Sequence, residues 1–510
     1  MRGGRPRSSL YVRLVALAVV AWVAGCGSSE TPEADRPAVA TIGDTEIAAE
    51  DFARSFELGF PHLKQGPDPR QAYLDHMIAE ALLAREGYRL RLDTTAAVRD
   101  QLDDLRDELL VEQVFEREVN SRVSVSEAEV QRALQEEAVR FRLRYLPAAT
   151  VEEARAVRAT AEAEGFDAAL ARQIEGRPDV ALRPDDFVTP FLGPAEVPAP
   201  ILSAIQDLPV GTPSTPIAAG GQYLIVEVVD VQREPVGLDP EAARRVRATL
   251  EQQRAKALAR EYVTGRMQPI GLTLKGGAFR PLTASLWDWV RTLDGPPLTL
   301  ASALAADRGP EAEAVRNRLG DVLATTVDGE VTVADLLVGY PARRYPLSTD
   351  DRNAFQSDLY DAVGLTLRDR AFTEQAREQG WGEAPAVTAD LRRWRDKWVY
   401  LAMVDYIADT TSVSDAEAAD YRQRHAAYYD GLRLGADALT TRARADAQRA
   451  KARAALPRVV ASLRDRYPVT VDPEAAAAAV PDADATPGLP VLLFKAHTGR
   501  PLYPIADPAW

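Results

Sequence analysis

The sequence predicts a mostly helical α+β protein in which one helical unit is interrupted by a small inserted domain and then followed by a second copy of itself without the insert. Three observations carry that expectation. Apolar residues recur at helical spacing through most of the chain, as in Leu74, Ile78, Ala81 and Leu82. Short segments return later in the same order at nearly constant offsets. Residues 141–233 alone mix strand and helix character. At 510 residues the chain exceeds a single core, while 46% hydrophobic and 27% charged residues are ordinary for a globular protein.

Arg2, Arg5, Arg7 and Arg13 precede an apolar run from Leu14 to Gly25, which is shorter than the roughly 20 residues a membrane-spanning helix needs. Basic start, apolar middle and small-residue exit read as a secretion signal over residues 1–25. Val23-Ala24-Gly25-Cys26 resembles the lipobox of bacterial lipoproteins, which implies lipidation of the Cys26 thiol and cleavage before it. Cys26 is the single cysteine, so no internal disulfide can form. The plainer alternative is an ordinary thiol behind a cleaved signal. On the lipoprotein reading the chain is anchored on the periplasmic side of a bacterial envelope, and Gly27 in place of aspartate slightly favours the outer membrane. Residues 26–37 then form a polar tether.

Alternation from Ala38 to Ile47 around Gly43-Asp44 predicts a hairpin leading into a helix near Asp51. Leu74, Ile78, Ala81, Leu82 and Arg85 predict a second helix that stops at Gly87. Leu102, Leu105 and Leu109 share one face of a third, and Ser126-x-x-Glu129 is a capping box for a fourth. The series then returns. Glu46 to Phe52 matches Glu330 to Leu336 at an offset of 284, and Val125 to Glu129 matches Val413 to Glu417 at an offset of 288. Gln253-Arg254-Ala255-Lys256-Ala257 matches Gln448 to Ala452 at 195, the weakest of the three because Ala/Arg-rich helices resemble one another by composition. The second copy therefore lacks about as many residues as lie between Phe141 and Arg233. The expected organisation is a first helical unit at 38–140 plus 238–275, an inserted domain at 141–233, a connecting segment at 276–322, a second helical unit at 323–472, and a Pro/Ala-rich tail at 473–510 with no assigned role.

This order resembles the SurA and PrsA group of secreted foldases, in which helical chaperone segments flank a parvulin-type prolyl isomerase domain. Val39 to Asp44 stands at the family's opening strand, Gly165 to Leu170 resembles a parvulin helix end, and Leu208 to Gly211 with Ser214 to Ile217 resembles its Leu-x-x-Gly-x-x-Ser-x-Pro turn. Active parvulins usually carry two histidines on adjacent central strands, in Arg-x-His-Ile-Leu and Gly-Tyr-His-Ile-Ile patterns. The resemblance places Tyr145 and Tyr223 at those positions. It also places Glu196 and Pro200 where a methionine and a phenylalanine of the Met-Val-Pro-Glu-Phe stretch line the proline pocket. The histidines of this chain are His62, His76, His425 and His497, all outside the insert.

Rotation about an imide crosses a barrier of about 18–20 kcal/mol and needs no covalent step, only an apolar pocket that desolvates the ring. Loss of histidines and apolar walls together implies a parvulin-like domain of low or no isomerase activity. Trp394 and Trp398, with Trp381 nearby, read as core or as walls of a cradle for unfolded segments, and His76 as a packed side chain. Removing residues 1–25 takes away four arginines and moves the net charge from −15 to −19, which disfavours nucleic acid as a partner. No metal-ligand spacing, nucleophile elbow or phosphate loop is found, and no cofactor is expected. The sequence thus points to a chaperone for unfolded exported polypeptides, with a working isomerase and an assembly subunit of an envelope complex as the other two classes.

Overall fold

The computed structural model describes residues 37–176, 183–219, 221–233, 240–293, 295, 297, 299–432, 434–481 and 500–507. The expected signal, Cys26 and the tether up to residue 36 lie outside the described residues, as does His497. Among the described residues no helix is long and apolar enough to cross a membrane. The fold is helical α+β with small antiparallel sheets. It divides into two units, residues up to Ser121 together with Ala259 onward, and Arg122–Leu258.

In chain order the first unit opens with β1 (Ala38–Ile42), β2 (Thr45–Ala48), α1 (Ala49–Leu58), α2 (Pro69–Arg89) and α3 (Ala96–Glu118). The second unit holds α4 (Glu127–Glu137), β3 (Val139–Ala148), α5 (Val151–Glu164), α6 (Phe166–Glu175), β4 (Val188–Leu192), α7 (Ala199–Ile205), β5 (Ile217–Ala219) and β6 (Gln222–Arg233). Helix α8 (Pro240–Met267) returns the chain to the first unit. There follow β7 (Thr273–Leu274), α9 (Gly276–Val290), α10 (Leu300–Ala306), α11 (Pro310–Arg316), β8 (Val322–Thr326), β9 (Gly329–Thr332) and α12 (Val333–Val338). The chain continues through α13 (Arg352–Glu378), α14 (Pro385–Thr410), α15 (Asp415–Arg424), α16 (Ala426–Asp430), α17 (Ala436–Arg466), β10 (Val469–Val471) and α18 (Pro473–Ala479).

The repeat is visible in the hydrogen bonds. Both hairpins turn on a glycine with positive φ, Gly43 at +63° and Gly329 at +141°, which a side chain would resist. Both capping boxes form, with Ser126 N and Ser414 N each donating to the glutamate three residues on at 2.8 Å. Each box is held by the returning helix: Glu129 accepts from Arg254 at 2.6 Å, and Glu417 from Lys451 at 2.7 Å. These pairs set the offset of the returning helix at 197, not the 195 read from the Gln-Arg-Ala-Lys-Ala match, which reflects shared composition.

The two repeats do not close separately. Strand β7, which ends the first repeat, pairs with β8 of the second, Leu274 opposite Ala324. Strand β10, which ends the second, pairs with β1 of the first, Val471 opposite Ala40. Flanking bonds follow the same exchange, Asp472 N to Val39 O at 2.9 Å and Lys275 N to Leu323 O at 2.8 Å. Helices cross over as well: α14 packs along α2 and α3, and α13 along α3. The helical units expected at 38–140 plus 238–275 and at 323–472 are therefore interlaced in one unit, apart from residues 122–140 and 238–258. The division between units also falls outside the expected 141–233, because α4 and the first part of α8 belong with the inserted sheet.

Close packing at this crossing explains Gly87. The expected stop is absent, since α2 continues to Arg89 with Gly87 buried inside it. A Cβ at Gly87 would lie 2.7 Å from Val399 Cγ1 and 3.1 Å from its carbonyl oxygen on α14. Gly87→Ala is accordingly expected to destabilise the chain by about 1–3 kcal/mol from overpacking, against the roughly 1 kcal/mol that alanine gains by helix propensity. A higher urea midpoint for the variant would show that α2 and α14 can separate to admit a methyl group.

Candidate functional site

The second unit is built on a four-stranded antiparallel sheet in the order β4-β3-β6-β5, so β3 and β6 are its central strands. Tyr145 pairs with Val226, Leu146 with Ile225, Pro147 with Leu224 and Ala148 with Tyr223. Paired residues share a face and neighbours along a strand alternate. Tyr223 thus lies on the face of Leu146, Ala148 and Ile225, which packs under α5 and α6. Tyr145 starts from the other face with Leu143, Val226 and Val228, against Val197, Ile201 and Ile205, while its ring also reaches the first cluster at Phe187. Tyr145 and Tyr223 are not cross-strand partners and start from opposite faces of the sheet.

The residue diagonal to Tyr145 on its own face is Leu224, half-buried in the same apolar cluster. A shift of one residue in the reading of β6 separates the two assignments, with Gln222-Tyr223-Leu224-Ile225-Val226 standing against Gly-Tyr-His-Ile-Ile. Tyr145 donates its hydroxyl to Asp186 O at 3.2 Å, and its ring lies 6.0 Å from that of Phe187. Glu196 is exposed and spent on a turn, its carboxylate accepting from Gly193 N at 2.7 Å. Pro200 is exposed in the first turn of α7. Buried Val197 presents the apolar side chain of that stretch. The turn that resembles the family's is fastened along β6: Gly211 has φ +80°, and Ser214 Oγ accepts from Val226 N at 2.9 Å. On the helical face Arg144 bridges Glu227 at 2.9 Å and Asp167 at 2.6 Å and covers the Phe166 ring. That pair fastens α6 to the sheet.

Trp394 and Trp398 are core, 6% and 7% exposed, with ring centroids 5.5 Å apart among Val98, Leu102 and Leu105. Trp381 is half-buried beneath the Arg117 guanidinium. None of the three opens a cradle. Half-buried His76 sits on α2, where burial lowers its pKa.

A different site emerges in the first unit, where α2 and α14 leave a groove filled by residues 500–507. A cavity of about 140 Å³ remains beside that segment, lined among others by Glu46, Asp51, Glu80, Lys397 and Tyr400. Lys397 donates to both oxygens of Glu80, at 2.9 and 2.8 Å, with the two side chains 11% and 12% exposed. Burial raises the Glu80 pKa, and the Lys397 ammonium partly opposes that rise. Four backbone groups of the segment are bound by side chains. Lys397 donates to Ile505 O at 3.0 Å, Ala506 N to Tyr73 Oη at 3.1 Å, Asp507 N to Glu80 at 2.6 Å, and Tyr400 Oη to Asp507 O at 3.1 Å. Tyr503 donates to Asp51 at 2.6 Å, and Arg393 both bridges Asp51 at 2.8 Å and covers the Tyr503 ring. Burial also pushes the Tyr73 hydroxyl up to about 12, so it stays protonated and able to donate to Ser55 O at 2.6 Å.

Sequence reading missed this groove because its residues span positions 45 to 507. The available signal was polar Glu80 within Ile78-Ala79-Glu80-Ala81-Leu82 and Lys397 between Trp394 and Trp398.

No protein-family model matches the chain, and no curated protein matches it. Among solved structures it is similar to one from work on two SurA-like chaperones of Campylobacter jejuni, at 16% identity and TM-score 0.22, covering 46% of this chain and 97% of that one. It is also similar to the peptidylprolyl isomerase PrsA of Bacillus anthracis, at 12% identity and TM-score 0.20, covering 38% and 96% of the two chains. For PrsA of Bacillus cereus the identity is 16% and the TM-score 0.24, covering 45% of this chain and 92% of that one.

Proposed function

We propose that this chain is a chaperone of the bacterial cell envelope, anchored through lipid on Cys26, that holds unfolded exported polypeptides and does not catalyse prolyl isomerisation to a useful degree. The observation that carries the reading is the grip on residues 505–507 through their backbone atoms. Side chains that bind carbonyl and amide groups tolerate many sequences and leave only a broad preference for what fills the flanking apolar space, which is what a protein serving many unfolded clients requires. The resemblance to secreted foldases, and a four-stranded sheet with helices where a parvulin-like domain is expected, support the same reading.

On the sheet, Tyr145 and Leu224 occupy adjacent central strands on one face, and neither is an imidazole. Residues 122–258 contain no histidine, so the pair of imidazoles usual in active parvulins is missing there. The soluble chain from Gly27 is expected to leave the slow phase of a proline-limited refolding reaction, tens of seconds long, unchanged at catalytic amounts. Tyr145→His alone is expected to do no better, because the second position is Leu224. Tyr145→His/Leu224→His is the variant that tests whether the pocket survives. Acceleration by the unaltered chain in this assay would assign it to the working isomerases instead.

A further inference from the structure

Residues Arg500–Asp507 carry the chain's own sequence into the groove between α2 and α14, and the way they are held bears on what else can enter. Ile505 and Ala506 are buried to 6% and 2% exposure, as deeply as core residues. Yet among the described residues no regular strand or helix secures them: Ile505 O is met by Lys397, Ala506 N by Tyr73, and the amide and carbonyl of the next residue, Asp507, by Glu80 and Tyr400. Tyr503 adds an aromatic ring pinned by Arg393 and Asp51, and Arg500 reaches Glu108 at 2.8 Å while covering Trp394. A core strand would satisfy its backbone with another backbone. Residues 505–507 are bound as a ligand is bound, by side chains.

The groove is also suited to standing open. Glu80, Lys397, Asp51 and Arg393 lie under or beside the segment, and once uncovered these charged groups regain hydration. Apolar walls alone would not tolerate exposure in this way.

We propose that residues 500–507 are a displaceable plug, and that the groove takes unfolded polypeptide stretches of matching chemistry: an aromatic residue, a proline and two adjacent aliphatic residues, as in Tyr503-Pro504-Ile505-Ala506. The proposal rests on the chaperone reading above and adds to it the binding site and its self-occupancy. Because the plug is covalently attached, its effective concentration is on the order of millimolar, and a client must outcompete it. Apparent client affinity of the intact chain is reduced by the fraction of molecules whose groove is open.

The test uses a fluorescent peptide of residues 500–510 and a permanently unfolded, carboxymethylated protein as competitor, read by anisotropy. The receptors are the soluble chain from Gly27, the same chain lacking residues 500–510, and the full-length Tyr503→Ala/Ile505→Asp variant, which keeps its tail but not its anchors. The peptide is expected to bind the shortened and double-variant chains about tenfold or more tightly than the intact one. The unfolded protein is expected to displace it. If the shortened chain unfolds, restoration of its circular dichroism by the peptide, reversed by the unfolded protein, reports the same competition. Client affinity equal in all three chains, or client binding that leaves the peptide in place, would overturn the plug while leaving the chaperone reading intact. Binding of the unfolded protein by none of them would overturn both.

Discussion

Residues 323–481 expressed alone are expected to show no cooperative unfolding transition as a monomer. In the intact chain the β8 edge is completed by β7, which such a fragment lacks, and β10 loses its partner β1. The loss of helix packing weighs more. Trp394, Trp398, Val399, Tyr400 and Met403 on α14 are buried against residues contributed by the first repeat. Each large apolar side chain left in water forfeits about 1.5–3 kcal/mol, so the group exceeds much of the roughly 5–15 kcal/mol that stabilises a typical domain. A sharp, concentration-independent urea transition would mean that the repeats are self-sufficient and the crossing incidental.

Lys397→Met is expected to be the most damaging single substitution, at about 3–5 kcal/mol, since it strands a buried carboxylate. Glu80 has Lys397 on both oxygens and the Asp507 amide on one, and burial already holds its pKa above the usual carboxylate range. Removing the ammonium drives that pKa higher, so the folded variant holds the proton more tightly than its unfolded form does. The deficit is therefore largest near pH 7. It shrinks as pH falls through the ordinary carboxylate range, where the unfolded chain is protonated too. Adding Glu80→Gln removes the stranded charge and should recover part of the loss. A urea-derived deficit below about 1 kcal/mol at pH 7, or one that grows on acidification, would contradict this account of the groove floor.

Much of the fold is legible locally. Hairpin glycines, capping boxes and helical periodicity each follow from the chemistry of a few neighbouring residues, and Ser126 and Ser414 cap as their spacing implies. The exchange of closing strands is not legible in that way. The two repeats have similar hairpins, so the sequence of β10 suits β1 and β8 alike, and the choice is made by α13 and α14 crossing to the other repeat. Whether Tyr145 and Tyr223 share a face of the sheet is beyond local reading for a related reason. Side chains alternate with a period of two, so an alignment one residue out moves Tyr223 to the opposite face and hides Leu224. Gly87 shows the same limit at a single position, because a helix terminator and a helix crossing point look alike until Val399 is placed beside it.

The most direct test of the central claim is a single refolding experiment on a proline-limited, aggregation-prone client, following the rate constant and yield together as the soluble chain from Gly27 is titrated. A holding protein with a silent sheet face predicts an unchanged slow rate constant at catalytic amounts and suppressed aggregation only as the chain approaches stoichiometric amounts. A rate constant that climbs with small amounts of chain, with no protection at stoichiometry, would contradict it.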